Sequence, residues 1–122
     1  MEQVRILRYC KEFSDKHVEF ATKFWNNRVR RSYKYICWKF KLDQPQNHTF
    51  LLAIYKNQVV GQLGLLPAEV YHRGNILKAF WFCDLMVDHE FRGKNIAQKM
   101  YDYAVQKNKG LFLGSNPSPP AE

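Results

Sequence analysis

The segment Val87-Asp88-His89-Glu90-Phe91-Arg92-Gly93-Lys94-Asn95-Ile96-Ala97 restricts the fold more than any other stretch of the chain. It joins an apolar, strand-like run to an amphipathic helical pattern through a basic turn that contains glycine. Downstream, the pairs Ile96/Ala97, Met100/Tyr101 and Ala104/Val105 form one helical stripe, and Gly110 stands as its stop, which predicts a helix over 96–109. Upstream, the odd positions Leu77, Ala79, Trp81, Cys83, Leu85 and Val87 are all apolar, which predicts a long strand over 76–87 with one face fully buried. In such a junction the first N–H groups of the helix lack intrahelical acceptors and converge on one spot, so the turn favours an anion.

The rest of the chain surrounds this junction with short strands and helices. Val4 to Tyr9 reads as a strand, and Ser14 as the cap of a helix whose apolar positions His17/Val18, Phe20/Ala21 and Phe24/Trp25 recur until Asn26-Asn27. Residues 28–41 read as partly helical, and Asp43 to Asn47 as a loop. Phe50–Tyr55 and Val59–Leu66 are β-rich runs at hairpin spacing across Lys56-Asn57-Gln58, with Gly61 and Gly64 permitting a bulge or close backbone approach. A second hairpin turns at Arg73-Gly74-Asn75, from Glu69–His72 into the long strand. Leu111-Phe112-Leu113 begins another buried strand, and Gly114 to Glu122, with its prolines, reads as loop. The pattern predicts an α/β (α+β) fold, a mostly antiparallel sheet flanked by helices, over a single domain.

At 122 residues and 46% hydrophobic content, the chain can bury roughly two-thirds of its unfolded surface in one core. No apolar run approaches the roughly 20 residues needed to span a bilayer, and the N-terminus lacks the layout of a signal peptide, so the reading is a cytoplasmic protein with no membrane partner. Cys10, Cys37 and Cys83 form no C-x-x-C pair, and His17, His48, His72 and His89 are scattered. The expectation is reduced thiols and no metal. The net charge of +8 is concentrated early: residues 1–41 hold 11 Lys/Arg against 4 Asp/Glu, and residues 42–122 hold 8 against 7. From Lys23 to Lys41 the basic residues interleave with Trp25, Tyr33, Tyr35, Trp38 and Phe40. Such a run can bind nucleic acid or another polyanion; the preferred reading is a solvated helix face with its aromatics turned into the core.

The junction departs from the two common phosphate-binding units, since Gly93 is followed neither by the Lys-Ser/Thr of a P-loop nor by the later glycines of a dinucleotide fingerprint. With Leu85-Met86-Val87 before it and Arg92-Gly93-Lys94-Asn95-Ile96-Ala97 opening the helix, it resembles the GNAT superfamily of N-acetyltransferases. That family's signature is an apolar-x-apolar strand followed by Arg/Gln-x-x-Gly-x-Gly/Ala. The order of elements resembles the family over nearly the whole chain. The resemblance implies that backbone amides from Arg92 to Ala97 (Arg92, Gly93, Lys94, Asn95, Ile96 and Ala97) hold the pyrophosphate of acetyl-CoA. It implies too that the main chain of Leu85, Met86 and Val87 pairs with the pantetheine, and that Asn116 contacts the co-substrate. Asn95 stands where the family usually has glycine, and Asn tolerates left-handed geometry.

Acetyl transfer to an amine needs a general base. Asp84, on the even face of the long strand, is the candidate, read either as that base or as a buried carboxylate paired with a nearby Lys, Arg or backbone donor. Glu69 and His72 are secondary candidates at a hairpin end, and Cys83 reads as a core residue rather than a nucleophile. A bulge in the strand, common in the family, shifts this parity. The family's last helix, which carries its thiolate acid, and its last two strands lie past Glu122, so the expectation is a fragment or a reduced form completed by a neighbour, a homodimer. The expected function is acetyl-CoA-dependent N-acyltransfer by direct attack of a small-molecule or peptide amine. Two alternatives stand beside it: a non-catalytic CoA-binding module, and a polyanion-binding protein using residues 23–41.

Overall fold

A computed structural model describes residues 3–24 and 32–113. Five strands, β1 (Arg5–Arg8), β2 (Phe50–Tyr55), β3 (Gln58–His72), β4 (Asn75–Val87) and β5 (Leu111–Leu113), form one sheet in chain order. Neighbours from β1 to β4 are antiparallel, and β5 joins β4 in parallel. The described helices are α1 (Ser14–Ala21), α2 (Tyr33–Lys39) and α3 (Ile96–Lys107), with single 3₁₀ turns at Lys11–Phe13 and His89–Phe91.

Side chains alternate across a strand, so β2 splits its apolar run between two cores. Phe50, Leu52 and Ile54 pack with Tyr9, Phe20, Ile36 and Phe40 beneath α1 and α2. Leu51 and Ala53 pack with Val60, Leu63, Leu65 and Phe80 beneath Ile96, Met100 and Ala104 of α3. Gly64 is required by close approach: a Cβ there would lie 2.6 Å from the Phe40 ring, which stacks on Phe50 with centroids 4.7 Å apart.

Both hairpins form at the expected places and close tighter than their spacing suggests. Lys56-Asn57 (φ 49° and 64°) and Arg73-Gly74 (φ 49° and 80°) are two-residue connections with both central residues left-handed, the conformation whose twist matches flanking strands. β3 runs unbroken to His72 where the sequence reading divided it at Leu66. Pro67 is tolerated there because β2 pairs with β3 only as far as Phe50↔Gly64, with Leu65 N–H reaching Thr49 O. Past that rung the β2-side edge of β3 has no partner among the described residues, and a missing N–H costs no ladder bond.

Other expectations are corrected. Ser14 does not cap α1: its hydroxyl donates to Lys11 O (2.8 Å), closing the preceding 3₁₀ turn, and the helix ends at Ala21. A serine does cap α2, where Ser32 Oγ accepts from Tyr35 N–H (3.1 Å). Helix α3 stops at Lys107, where Asn108 Nδ2 donates to Ala104 O (3.0 Å) and His48 O (2.9 Å); Gly110 instead lets the chain pass against Lys78 O. The aromatics of the basic segment do not all turn inward, since Phe40 is buried but Trp38 is 76% exposed; Trp25, Arg28, Arg30 and Arg31 lie outside the described residues. No described helix is long and apolar enough to cross a membrane.

Candidate functional site

The long strand carries the site because it is irregular at two places. Gly61↔Val87 and Gln62↔Met86 pair in one register, but Gly64 pairs with Cys83, so β4 accommodates an extra residue around Asp84. Asp84 itself is left-handed (φ 53°), an uncommon geometry for a residue other than glycine. This bulge overturns the expectation of one fully buried odd face. Phe80 and Phe82 share the α3 side with Leu85 and Val87 past the bulge, while Cys83 and Met86 face the α1/α2 side. Ile76 and Leu77 are exposed, because the outer end of the β3–β4 hairpin extends beyond both cores, and Trp81, next to the buried Phe80, is exposed as well.

The second irregularity lies on the other edge of β4. Over the described residues, strand β5 pairs only with Ala79, Phe80 and Trp81. From Phe82 to Val87 the edge of β4 facing away from β3 has no strand partner among the described residues, and Arg92 Nε donates to Val87 O (3.5 Å).

Two elements grip the bulge. From β3, the fully buried Gln62 donates its amide to Asp84 O (2.9 Å) and shares a 2.8 Å hydrogen bond with the equally buried His17 Nε2 of α1. Since Gln62 Oε1 can only accept, His17 carries its proton on Nε2. From α2, Lys39 Nζ donates to Asp84 Oδ2 at 2.8 Å, with both side chains about three-quarters buried. Burial pulls the Lys39 ammonium down, but the hydrogen bond and charge of Asp84 outweigh it and hold the amine above its ordinary value. Burial, and then the Asp84 charge, push the Cys83 thiol up to about 11, which makes it a packing residue rather than a thiolate nucleophile.

Beyond Val87 the turn is fixed before it reaches the helix. A bulge in β3 frees Val60 O to accept Asp88 N–H (2.8 Å), while the Asp88 carboxylate accepts from Glu90 N–H (3.2 Å) and from Lys23 Nζ (2.5 Å). The Lys23 hydrogen bond is the main cause that holds the Asp88 carboxyl below its ordinary value. Gly93 (φ 81°) and Asn95 (φ 60°, ψ 23°) are both left-handed, and Asn95 offers no side-chain cap to α3. The first N–H groups of this helix are therefore not taken by a cap, and a Cβ added at Gly93 would meet nothing within 4 Å. Arg92, Gly93, Lys94 and Asn95 are exposed, Ile96 is buried under the sheet and Ala97 is half-buried.

The structure thus brings Asp84, Leu85, Met86 and Val87 onto one strand end and runs it into the turn from Arg92 to Ala97. Glu69 and His72 lie at the opposite, exposed end of the β3–β4 hairpin, and Asn116 lies outside the described residues. Lys39, Gln62 and His17 were missed by sequence reasoning. A cavity of about 370 Å³ adjoins the turn without containing it, lined by Lys16, Lys23, Lys56 and Phe20 and touching the turn at Asp88 and Phe91. No group of three or more His, Cys, Asp or Glu among the described residues is placed to hold a metal.

Among solved structures, the chain is similar to glucosamine-6-phosphate N-acetyltransferase from Arabidopsis thaliana (TM-score 0.72, 12% identity, 95% of this chain and 84% of that one). It is also similar to the ribosomal-protein-alanine N-acetyltransferase of Brucella melitensis biovar Abortus (0.68, 17%, 97% and 83%). A predicted acetyltransferase from Clostridium acetobutylicum, solved with acetyl-CoA, superposes with a TM-score of 0.67 at 11% identity, over 95% and 82%. These likenesses establish a shared fold. A sequence comparison with curated proteins finds no match. The model of the acetyltransferase (GNAT) domain matches residues 2–110, and the chain belongs to that family.

Proposed function

We propose that this chain binds acetyl-CoA along the free edge of β4 and the turn at the head of α3, and transfers the acetyl group to an amine by direct attack. Acyl transfer is the chemistry of its family. The carrying observation is the coincidence of a strand edge without a strand partner among the described residues and a left-handed turn whose helical N–H groups are not capped by Asn95. The residues fit the ligand. Amides of Gly93 to Ala97 are available for a pyrophosphate, and the exposed Arg92 and Lys94 flank it, although cations are otherwise disfavoured at a helix N-terminus. The backbone of Leu85, Met86 and Val87 would pair with the amides of the pantetheine, which would displace the long Arg92 Nε contact (3.5 Å) from Val87 O. When bound, acetyl-CoA supplies an activated acyl carbon. Asp84, at the bulge within this edge, is the proposed acceptor of the amine's proton; for that, an acceptor must compete with Lys39 for the carboxylate.

The acceptor class is a small-molecule or peptide amine. Binding to the folded state alone raises stability by about 4 kcal/mol when ligand exceeds Kd roughly a thousandfold. Acetyl-CoA should therefore raise the melting temperature in a saturable way, and the absence of any rise at saturating concentrations rules out the assignment. The engaged state of Asp84 also fits a second reading, a CoA-binding module without turnover. Thiol release in an amine screen separates the two, because only the enzyme liberates CoA.

A further inference from the structure

The Lys39–Asp84 pair has the composition that amine acylation requires: a primary amine in contact with a carboxylate, at the bulge of β4. Lys39 is the last residue of α2, and its side chain reaches from the helical layer to the bulge. The other ion pair among the described residues, Lys23 with Asp88, lies beyond the strand, and its lysine is 57% exposed. Lys34, on the same helix as Lys39, is exposed.

We propose that Lys39 is a self-acetylation site, acylated within its own chain by the CoA thioester bound along β4, and that it occupies the seat of the acceptor amine. The inference rests on the acyl-CoA reading given above. The step balances without a further reagent. A proton passes from the Lys39 ammonium to Asp84 Oδ2, and the freed nitrogen lone pair attacks the thioester carbonyl carbon. The N–C bond forms and the C–S bond breaks, with the electron pair leaving on sulfur. The proton shed by the new amide nitrogen neutralises the thiolate, and Asp84 later returns its proton to solvent. The product is a neutral acetyl-lysine, which can no longer pair with Asp84. Self-acetylation therefore removes the cation that screens the carboxylate and leaves it open to an external amine. Because Asp84 holds the Lys39 amine above its ordinary pKa, the neutral nucleophile is scarce at neutral pH. The reaction is slow, occurs once per chain and speeds up as pH rises.

The test incubates the whole chain with acetyl-CoA and follows acetyl occupancy at Lys39 and Lys34 by peptide mass spectrometry. CoA affinity is measured in parallel by calorimetry. Two groups held in one site should react at least about tenfold faster than the exposed lysine, at a rate that saturates in acetyl-CoA and does not depend on protein concentration. Excess CoA, or unfolding in urea, should abolish the difference, and Asp84→Asn, which removes the charge that keeps the amine protonated, should move the pH profile of Lys39 labelling to lower pH while leaving that of Lys34 unchanged. If CoA binds but Lys39 is labelled no faster than Lys34, self-acetylation is refuted and the cofactor reading stands. If CoA does not bind, both fall.

Discussion

Asn95 makes the left-handed step that turns the chain into α3. Its side chain contributes no cap, so what the site requires of this residue is conformation. Asn95→Gly should therefore fold and bind acetyl-CoA as well as the parent. Asn95→Val should lose about 1–2 kcal/mol, the usual cost of forcing a side chain into this region, together with most of the thermal shift given by the ligand. Urea denaturation and calorimetry on the two variants check this; a valine variant with unchanged affinity would contradict it. This residue was legible in the sequence because its type alone restricts its backbone. Asp84 was legible only as a candidate. The strand's strict alternation placed it on the even face, and the bulge that reverses the pattern depends on Gln62 and His17, which lie 22 and 45 positions from their partners. Lys39 is equally remote from Asp84, 45 positions away, and no local spacing could have paired them.

Among the elements, hairpins and helix stripes were readable because they depend on neighbours in sequence. Boundaries were not, since they follow from what packs alongside. β3 passes through Pro67 because β2 has already stopped, and α3 ends where Asn108 finds His48. The β2–β3 turn makes a quantitative case. It needs two left-handed residues, and Lys56 (φ 49°) is poorly suited to the first position, while Asn57 suits the second. Lys56→Asn should stabilise the fold by about 1 kcal/mol, raising the melting temperature by several degrees, since Asn adopts this conformation at lower cost. A variant that melts at or below the parent temperature would show that Lys56 does more than turn the chain.

Across the whole molecule, His17 links α1 to β3 and through Gln62 to the bulge, and its ring is fully buried. Burial lowers its pKa below the ordinary 6.5, against a smaller opposing effect of the Gln62 hydrogen bond. The unfolded chain therefore takes up a proton that the folded chain resists. Stability should fall as pH drops below 6.5 and level off once the folded-state value is passed. His17→Gln should flatten this dependence, leaving a shallower slope from His48, whose ring is shifted the same way by burial and by Arg8 and Lys107. Denaturant titrations at a series of pH values measure it, and parallel profiles for parent and variant would exclude His17 as the cause.

The proline in β3 also matters for how the protein keeps company with itself. The outer reach of the β3–β4 hairpin presents Tyr71 (74% exposed) and Ile76 (60% exposed) on strands where β3 has lost its β2 neighbour. A bare, apolar strand edge is a template on which another chain can add itself and seed aggregation. Pro67 sits at the start of that stretch and offers no N–H to an incoming strand. The residue that looked like a break in the sheet is a guard on its open margin.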